Sequence, residues 1–317
     1  MVDVLFIKTS SLGDVVHNMP AVTDARRHLP AARLVWVVEE AFAPLARLHP
    51  GVDEVVPVAW RRWRRALTRP DTWRELRAFV ARLRERPYDV VIDTQGLLRT
   101  AVITRLARGP RHGYDRKSAR EALAAASYDV HHVVGRELHA VTRNRLLTGA
   151  ALGYAPEGPI DYGLDRAALA PAAHAPYAVL LHATARPEKE WPEESWIALG
   201  RALMAQGLAI VLPWGTPAEE TRARRLAAAL PGARVPERRP LDEVARLIAG
   251  ASLVVGVDTG LLHLAAALGV PLVSIFVGSE PSLTGPIGSG PIETLGGDGE
   301  PCRLDAVAAA VARVLPG

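Results

Sequence analysis

Cysteine, lysine and long apolar runs are scarce in this sequence. The chain has one cysteine, Cys302, in 317 residues. A single cysteine forms no internal disulfide and no Cys-rich zinc site. No apolar run approaches the roughly 20 residues that span a bilayer. The apolar start at residues 1–7 is short, carries Asp3 and runs into Lys8 and Asp14, unlike a secretory signal. These features predict a cytoplasmic chain that is still free to touch a membrane surface. Neither G-x-G-x-x-G nor a phosphate loop ending in Gly-Lys-Ser/Thr occurs, which removes support from dinucleotide enzymes and nucleotide triphosphatases. No His or acid pair has ligand spacing with a third partner, so no metal site is expected, and His131-His132 reads as surface. Hydrophobic residues at 49% and charged residues at 23% exclude a largely disordered chain.

Charge is distributed unevenly. The net charge is +4, but residues 1–155 hold 25 Lys and Arg against 16 Asp and Glu, a net of +9, and residues 156–317 hold 13 against 18, a net of −5. A basic half joined to an acidic half points to one domain that meets an acidic partner. Only Lys8, Lys117 and Lys189 are lysines; the other 35 cations are arginines. A compact ammonium and a planar guanidinium suit different sites, so a lysine kept in such a background marks a candidate site.

Apolar runs at residues 2–7, 34–38, 55–58 and 90–93 read as strands, with helices expected at 15–28, 72–86 and 98–107. The alternation predicts a parallel sheet with crossover helices. Prolines and glycines at 156–176 suggest a connecting stretch. The pattern then restarts, with strands at 177–182, 209–213, 253–257 and 272–276 and helices at 194–206, 217–230, 241–248, 261–268 and 304–315. The expectation is an N-terminal domain over 1–155, a linker over 156–176 and a C-terminal domain over 177–317. Ligands of such sheets bind beyond the carboxyl ends of the strands, which makes a cleft between the domains the expected site.

Polar motifs fall at these strand ends. Lys8-Thr9-Ser10-Ser11-Leu12-Gly13-Asp14 is a strand-to-helix turn. Asp14 there is either a helix N-terminal acid favoured by the macrodipole or a general base. The stretch from His182 to Pro192 holds Thr184, Arg186 and Lys189, a set suited to a diphosphate, or else a solvated loop. Asp258-Thr259-Gly260-Leu261-Leu262-His263 places a glycine and a helix start after an apolar strand, where backbone N–H groups can meet a ligand. Glu219, after Trp214-Gly215, could accept from ribose hydroxyls or merely place charge at a helix start. Trp60-Arg61-Arg62-Trp63-Arg64-Arg65 could bind nucleic acid, headgroups or an anionic glycolipid.

In their order along the chain these motifs resemble the bacterial ADP-heptose glycosyltransferases, the heptosyltransferases of glycosyltransferase family 9. The resemblance covers nearly the whole chain. It is carried by Lys-Thr-Ser-Ser-Leu-Gly-Asp at 8–14, Trp-Val-Val-Glu-Glu at 36–40, Arg-Arg-Trp-Arg at 61–64, Asp-Thr-Gln-Gly-Leu at 93–97, Lys-Glu-Trp-Pro-Glu-Glu at 189–194, Leu-Pro-Trp-Gly at 212–215 and Val-Asp-Thr-Gly-Leu-Leu-His at 257–263. It implies an α/β protein of the GT-B glycosyltransferase fold, two Rossmann-like domains with a cleft between them. It also implies inverting, metal-independent transfer of L-glycero-D-manno-heptose from ADP-heptose to the first Kdo of Kdo2-lipid A. No cofactor is implied, and the partners would be these two substrates and the inner face of the inner membrane.

On that resemblance Asp14 is the general base. Thr184, Lys189, Asp258, Thr259, Gly260, Leu261 and His263 lie at the donor diphosphate, Glu219 at the ribose and Arg239 near the adenine. Lys8, Ser10, Ser11, Gly13, His17, Gln95, Arg120, Arg61, Arg62, Arg64 and Arg65 lie on the acceptor side. One departure is Thr184-Ala185, where the family has two threonines. The alternatives are heptose transfer onto heptose and, in a different class, nucleic-acid binding by the basic half. Lys-Thr-Ser-Ser and Arg-Arg-Trp-Arg favour the first step, and a nucleic-acid protein would leave the strand-end motifs without a role.

Overall fold

A computed structural model describes residues 1–171, 175–184, 190–277, 281–297 and 302–315. The chain divides into two compact units, Met1–Gly163 and Leu164–Gly317. The first runs β1 (Asp3–Ile7), α1 (Leu12–His28), β2 (Arg33–Glu39), α2 (Ala43–Ala46), β3 (Glu54–Val58), α3 (Trp60–Trp63), α4 (Pro70–Leu83), β4 (Val90–Asp93), α5 (Leu98–Leu106), β5 (Arg111–Tyr114), β6 (Val130–His132) and α6 (Ala140–Leu152), with a 3₁₀ segment at Ala122–Ser127 before β6. The second runs α7 (Arg166–Leu169), β7 (Tyr177–Leu181), α8 (Glu193–Ala205), β8 (Ala209–Val211), α9 (Pro217–Ala228), α10 (Leu241–Ala249), β9 (Leu253–Val257), α11 (Gly260–Ala267), β10 (Leu272–Phe276), β11 (Ile292–Gly296) and α12 (Leu304–Val314).

Both sheets are parallel throughout. The first has the order β3-β2-β1-β4-β5-β6 and the second β11-β10-β9-β7-β8. Central strands covered on both faces need apolar residues, which is why β1 is apolar and buried from Val4 to Ile7 and β9 throughout. In the first unit Leu5, Ile7, Val35, Val37 and Val91 pack against Trp63, Phe79 and Leu83 from α3 and α4. In the second, Val255, Val273 and Ile275 share a core with Trp191 and Trp196, whose rings meet edge to face at 5.0 Å. Strand order reverses between β1 and β4 and between β7 and β9. Ligand sites of open α/β sheets lie at such switch points.

The proline- and glycine-rich stretch is packed rather than free. Arg145 grips Asp24 through two guanidinium nitrogens at 2.7 and 3.2 Å and donates to the carbonyls of Glu157 and Gly158. Asp161 pairs with Arg27. Beyond Gly163 the chain belongs to the second unit, where Arg166 donates to the carbonyls of Ala249, Ala251 and Gly269. The Arg-rich stretch opens with the helical turn α3, and its Trp63 is buried in the core.

Breaking the buried Arg145–Asp24 pair leaves one charge without its partner, which costs about 3–5 kcal/mol. Arg145→Ala is therefore expected to lower the unfolding free energy of the first unit by that much, read as a lower urea midpoint. An unchanged midpoint would contradict this packing.

Candidate active site

The first switch point is built from two strand ends. Beyond β1 lie Lys8, Thr9, Ser10 and Ser11; beyond β4 lie Thr94, Gln95 and Gly96. Gln95 ties the two together. Its Oε1 accepts from the N–H of Thr9 at 2.7 Å, the hydroxyl of Thr9 at 3.0 Å and the N–H of Ser10 at 3.3 Å, and its Nε2 donates to the Ser10 carbonyl. Gln95 is in turn positioned by buried Asp93, which accepts from the N–H groups of Gln95 at 2.8 Å and Gly96 at 3.1 Å and from the Tyr128 hydroxyl at 2.9 Å. Gly96 has φ of +66°, and a Cβ there would press on the Tyr114 ring and the Arg120 backbone.

Asp14 sits in the first turn of α1, where its carboxylate caps the helix and faces two cations. As a helix-start acid it accepts from the N–H of Ser11 at 2.9 Å. Beyond the cap, Arg120 Nη1 donates to both its oxygens at 3.2 and 3.3 Å, and the Lys8 ammonium is 3.8 Å away. Burial alone pushes the Asp14 carboxyl up, but Lys8, Arg120 and the Ser11 N–H outweigh it and hold the group below its ordinary value. Lys8 is buried, donates to the Thr94 carbonyl at 3.0 Å and approaches Asn144 Oδ1 at 3.4 Å. Burial lowers its pKa to about 8, with Asp14 opposing the fall. Gly13 is buried in the same turn, and buried His17 packs edge to face on His139 at 5.4 Å.

The structure thus brings together Lys8, Ser10, Ser11, Gly13, Asp14, Gln95 and Arg120. It ties Arg62 elsewhere, through two bonds to Glu40 at 2.9 and 3.0 Å and an ion pair to Glu75 at 2.7 Å. Arg61 lies over the Phe42 ring at 5.2 Å and donates its N–H to Glu39. Arg64 and Arg65 are exposed beyond α3. Three residues not singled out from sequence complete the site: Asn144 and Arg143 on α6, and Arg99 on α5. Asn144 links Lys8 to the His17 carbonyl at 2.9 Å, Arg143 covers the Tyr114 ring at 4.7 Å, and Arg99 donates to Ser10 Oγ at 2.9 Å. Arg99 had a readable signal. A cation in a helix's first turn opposes the macrodipole, so its presence there calls for another cause.

In the second unit the ends of β9, β7 and β8 are neighbours. The Thr184 hydroxyl donates to the Asp258 carbonyl at 3.0 Å and joins two of them. Thr259 precedes α11, so Gly260 and Leu261 stand in its first turn, where N–H groups have no intrahelical acceptor. His263 is buried on the same helix. Glu219 accepts from the Gly215 N–H at 2.7 Å, and its own N–H bonds Thr216 Oγ at 3.3 Å, a cap of α9. Arg239 is exposed and pairs with Glu243 at 3.6 Å. Lys189 and Arg186 lie outside the described residues. Among the described residues no group of three or more His, Cys, Asp or Glu side chains is placed to hold a metal ion, and no helix is long and apolar enough to cross a membrane.

Residues 76–303 match Glycosyltransferase family 9 (heptosyltransferase). Lipopolysaccharide heptosyltransferase 1 of Pseudomonas aeruginosa is 49% identical over 298 residues, which is 93% of this chain and 84% of that protein. The Escherichia coli heptosyltransferase WaaC, solved with ADP-2-deoxy-2-fluoro heptose, superimposes with a TM-score of 0.90 at 41% identity, over 98% of this chain and 99% of that one. The E. coli ADP-heptose lps heptosyltransferase II shares the fold, with a TM-score of 0.78 at 21% identity over 98% of this chain and 99% of that one. Two parallel Rossmann-like sheets with polar strand ends are those of a GT-B-type glycosyltransferase. This chain belongs to glycosyltransferase family 9.

The charge balance can be read from Lys8. With only three lysines in the chain, their side-chain methylene NMR signals are readily separated. Lys8 is expected to titrate near pH 8 in the wild type and lower still in Asp14→Asn, because the carboxylate raises the Lys8 pKa. A Lys8 signal that titrates near 10.5, or ignores the substitution, would contradict the geometry.

Proposed function

We propose that the chain transfers L-glycero-D-manno-heptose from ADP-heptose to the first Kdo of Kdo2-lipid A, with inversion and without a metal ion. The observation that carries the proposal is Asp14, a shielded carboxylate at a switch point, kept ionised by Lys8, Arg120 and the Ser11 N–H. The similarity to lipopolysaccharide heptosyltransferase 1 supports the choice of the first core step. The acceptor hydroxyl gives its proton to Asp14 as its oxygen forms the new bond to the heptose anomeric carbon. The bond from that carbon to the diphosphate breaks, and ADP leaves with the electron pair. Thr184, Lys189 and the N–H groups at the start of α11 take up the charge that develops on the diphosphate. Asp258 and His263 border that site, Glu219 offers its carboxylate to the ribose, and Arg239 lies toward the adenine.

Arg120 has two tasks in this scheme. It keeps Asp14 ionised, and it offers a guanidinium to the carboxylates of the incoming acceptor. When an anionic acceptor draws on Arg120, the cationic hold on Asp14 weakens and its basicity rises, which suits a general base. Arg61, Arg64 and Arg65 supply further cations toward the acceptor's phosphates, and Arg62 joins them if the acceptor displaces its acidic partners. Leu98, Val102 and Leu123 are exposed apolar side chains of the same unit and fit peripheral contact with the inner face of the inner membrane.

Incubation with ADP-heptose and Kdo2-lipid A in EDTA is expected to add one heptose, read by mass spectrometry. Strict dependence on added magnesium, or reaction only with an already heptosylated acceptor, would overturn the reading. Asp14→Asn keeps an oxygen for the Ser11 N–H but takes no proton, so turnover is expected to fall about 10²–10⁴-fold while ADP binding stays near wild type. Equal turnover would remove Asp14 as the base. Lys189→Ala is expected to raise the KM for ADP-heptose, and Lys189→Arg to restore it only in part, since a guanidinium does not reproduce a point charge. Full rescue by arginine would reduce Lys189 to a generic cation.

A further inference from the structure

Beside the Asp14 turn lies a cavity of about 390 Å³ lined by Trp60, Leu97, Leu98, Arg99, Val102 and Glu121. Two of its walls lead to the base. Arg99 holds the Ser10 hydroxyl at 2.9 Å, and Glu121 follows Arg120 in the chain. The lining is mostly apolar apart from one cation and one acid. That acid is engaged, because the Glu121 carboxylate accepts from the Leu98 N–H at 2.5 Å. Arg99 has no carboxylate partner among the described residues, and its Nε–H is buried with no acceptor. A buried donor left unsatisfied costs stability, and Arg61 adds like-charge repulsion to this half-buried guanidinium. Neither the helix dipole nor an ion pair explains why a guanidinium is kept there.

We propose that Arg99 and Trp60 form an acceptor subsite, in which the guanidinium receives an anionic group of the acceptor saccharide and the indole packs on a sugar ring. The proposal rests on the acceptor assignment above and deepens it. A guanidinium fork matches a carboxylate or a phosphate, and the acceptor carries both. Leu97, Leu98 and Val102 give the open groove an apolar lining beside the guanidinium.

The test compares wild type, Arg99→Gln, Arg99→Lys and Ser10→Ala on Kdo2-lipid A, its carboxyl methyl ester and its dephosphorylated form. Arg99→Gln is expected to raise the acceptor KM about tenfold or more and to leave the ADP-heptose KM unchanged. That penalty disappears on whichever acceptor lacks the partner anion, which separates carboxylate from phosphate. Arg99→Lys recovers part of the loss. A role limited to holding Ser10 would lower kcat alike on all three acceptors, as in Ser10→Ala, and that outcome overturns the subsite. So does an unchanged acceptor KM. Binding of the free acceptor saccharide, followed by NMR in wild type and Arg99→Gln, reads the subsite without turnover. A wild type that binds the saccharide through Arg99 yet transfers no heptose would fail the function and keep the subsite; equal binding by wild type and Arg99→Gln would fail the subsite. Thermal melts confirm that each variant is folded.

Discussion

A carboxylate drawn out of water must be compensated or it takes up a proton, and that constraint organises the first unit. The Asp14 side chain is 14% exposed. It remains ionised because Lys8, Arg120 and the Ser11 N–H surround it. Lys8 in turn needs acceptors and finds the Thr94 carbonyl and Asn144. Thr94 is fixed by Asn18 at 2.7 Å, and Asn144 by the His17 carbonyl. The buried polar network that joins β1, β4, α1 and α6 thus follows from keeping one negative charge at one strand end. A half-satisfied network would be worse than an apolar core, so its members depend on one another.

Much of this was legible in the sequence, for definite reasons. Strands β1, β4, β7, β9 and β10 lie in sheet interiors, and burial on both faces forces the apolar runs by which they are read. The abrupt polar turns after β1, β4 and β9 stand out against those runs. The positions read poorly were those where burial and polarity coincide. Helix α6 buries Asn144, Arg145 and Thr148 along with Val141 and Leu147, so no apolar stripe marks it. Strands β5 and β6, Arg-His-Gly-Tyr and Val-His-His, have no apolar run. The share of the site carried by α6 was hidden with it.

The arginine cluster at 61–65 shows the limit of reading charge from composition. Four cations in a row look alike, yet Arg62 is engaged by Glu40 and Glu75, and Trp63 is core. Arg99, isolated in sequence, has a buried and unsatisfied Nε, as do Arg143 and Arg222, and it is the one of the three that lines the cavity beside the Asp14 turn. Local density of charge says less about function than whether each charge has a counter-charge.

The central claim is that Lys8 and Arg120 together hold Asp14 ionised, with Arg120 the partner that an acceptor can draw away. The most direct test is the pH dependence of kcat/KM for the acceptor, which reports the free enzyme, in wild type and Arg120→Gln. Asp14 acts ionised and its pKa is held down, so the acid limb of the wild-type profile should lie below the ordinary carboxylate range. Removing the guanidinium should raise the Asp14 pKa and move that limb to higher pH. An acid limb at the same pH in both proteins would contradict the account.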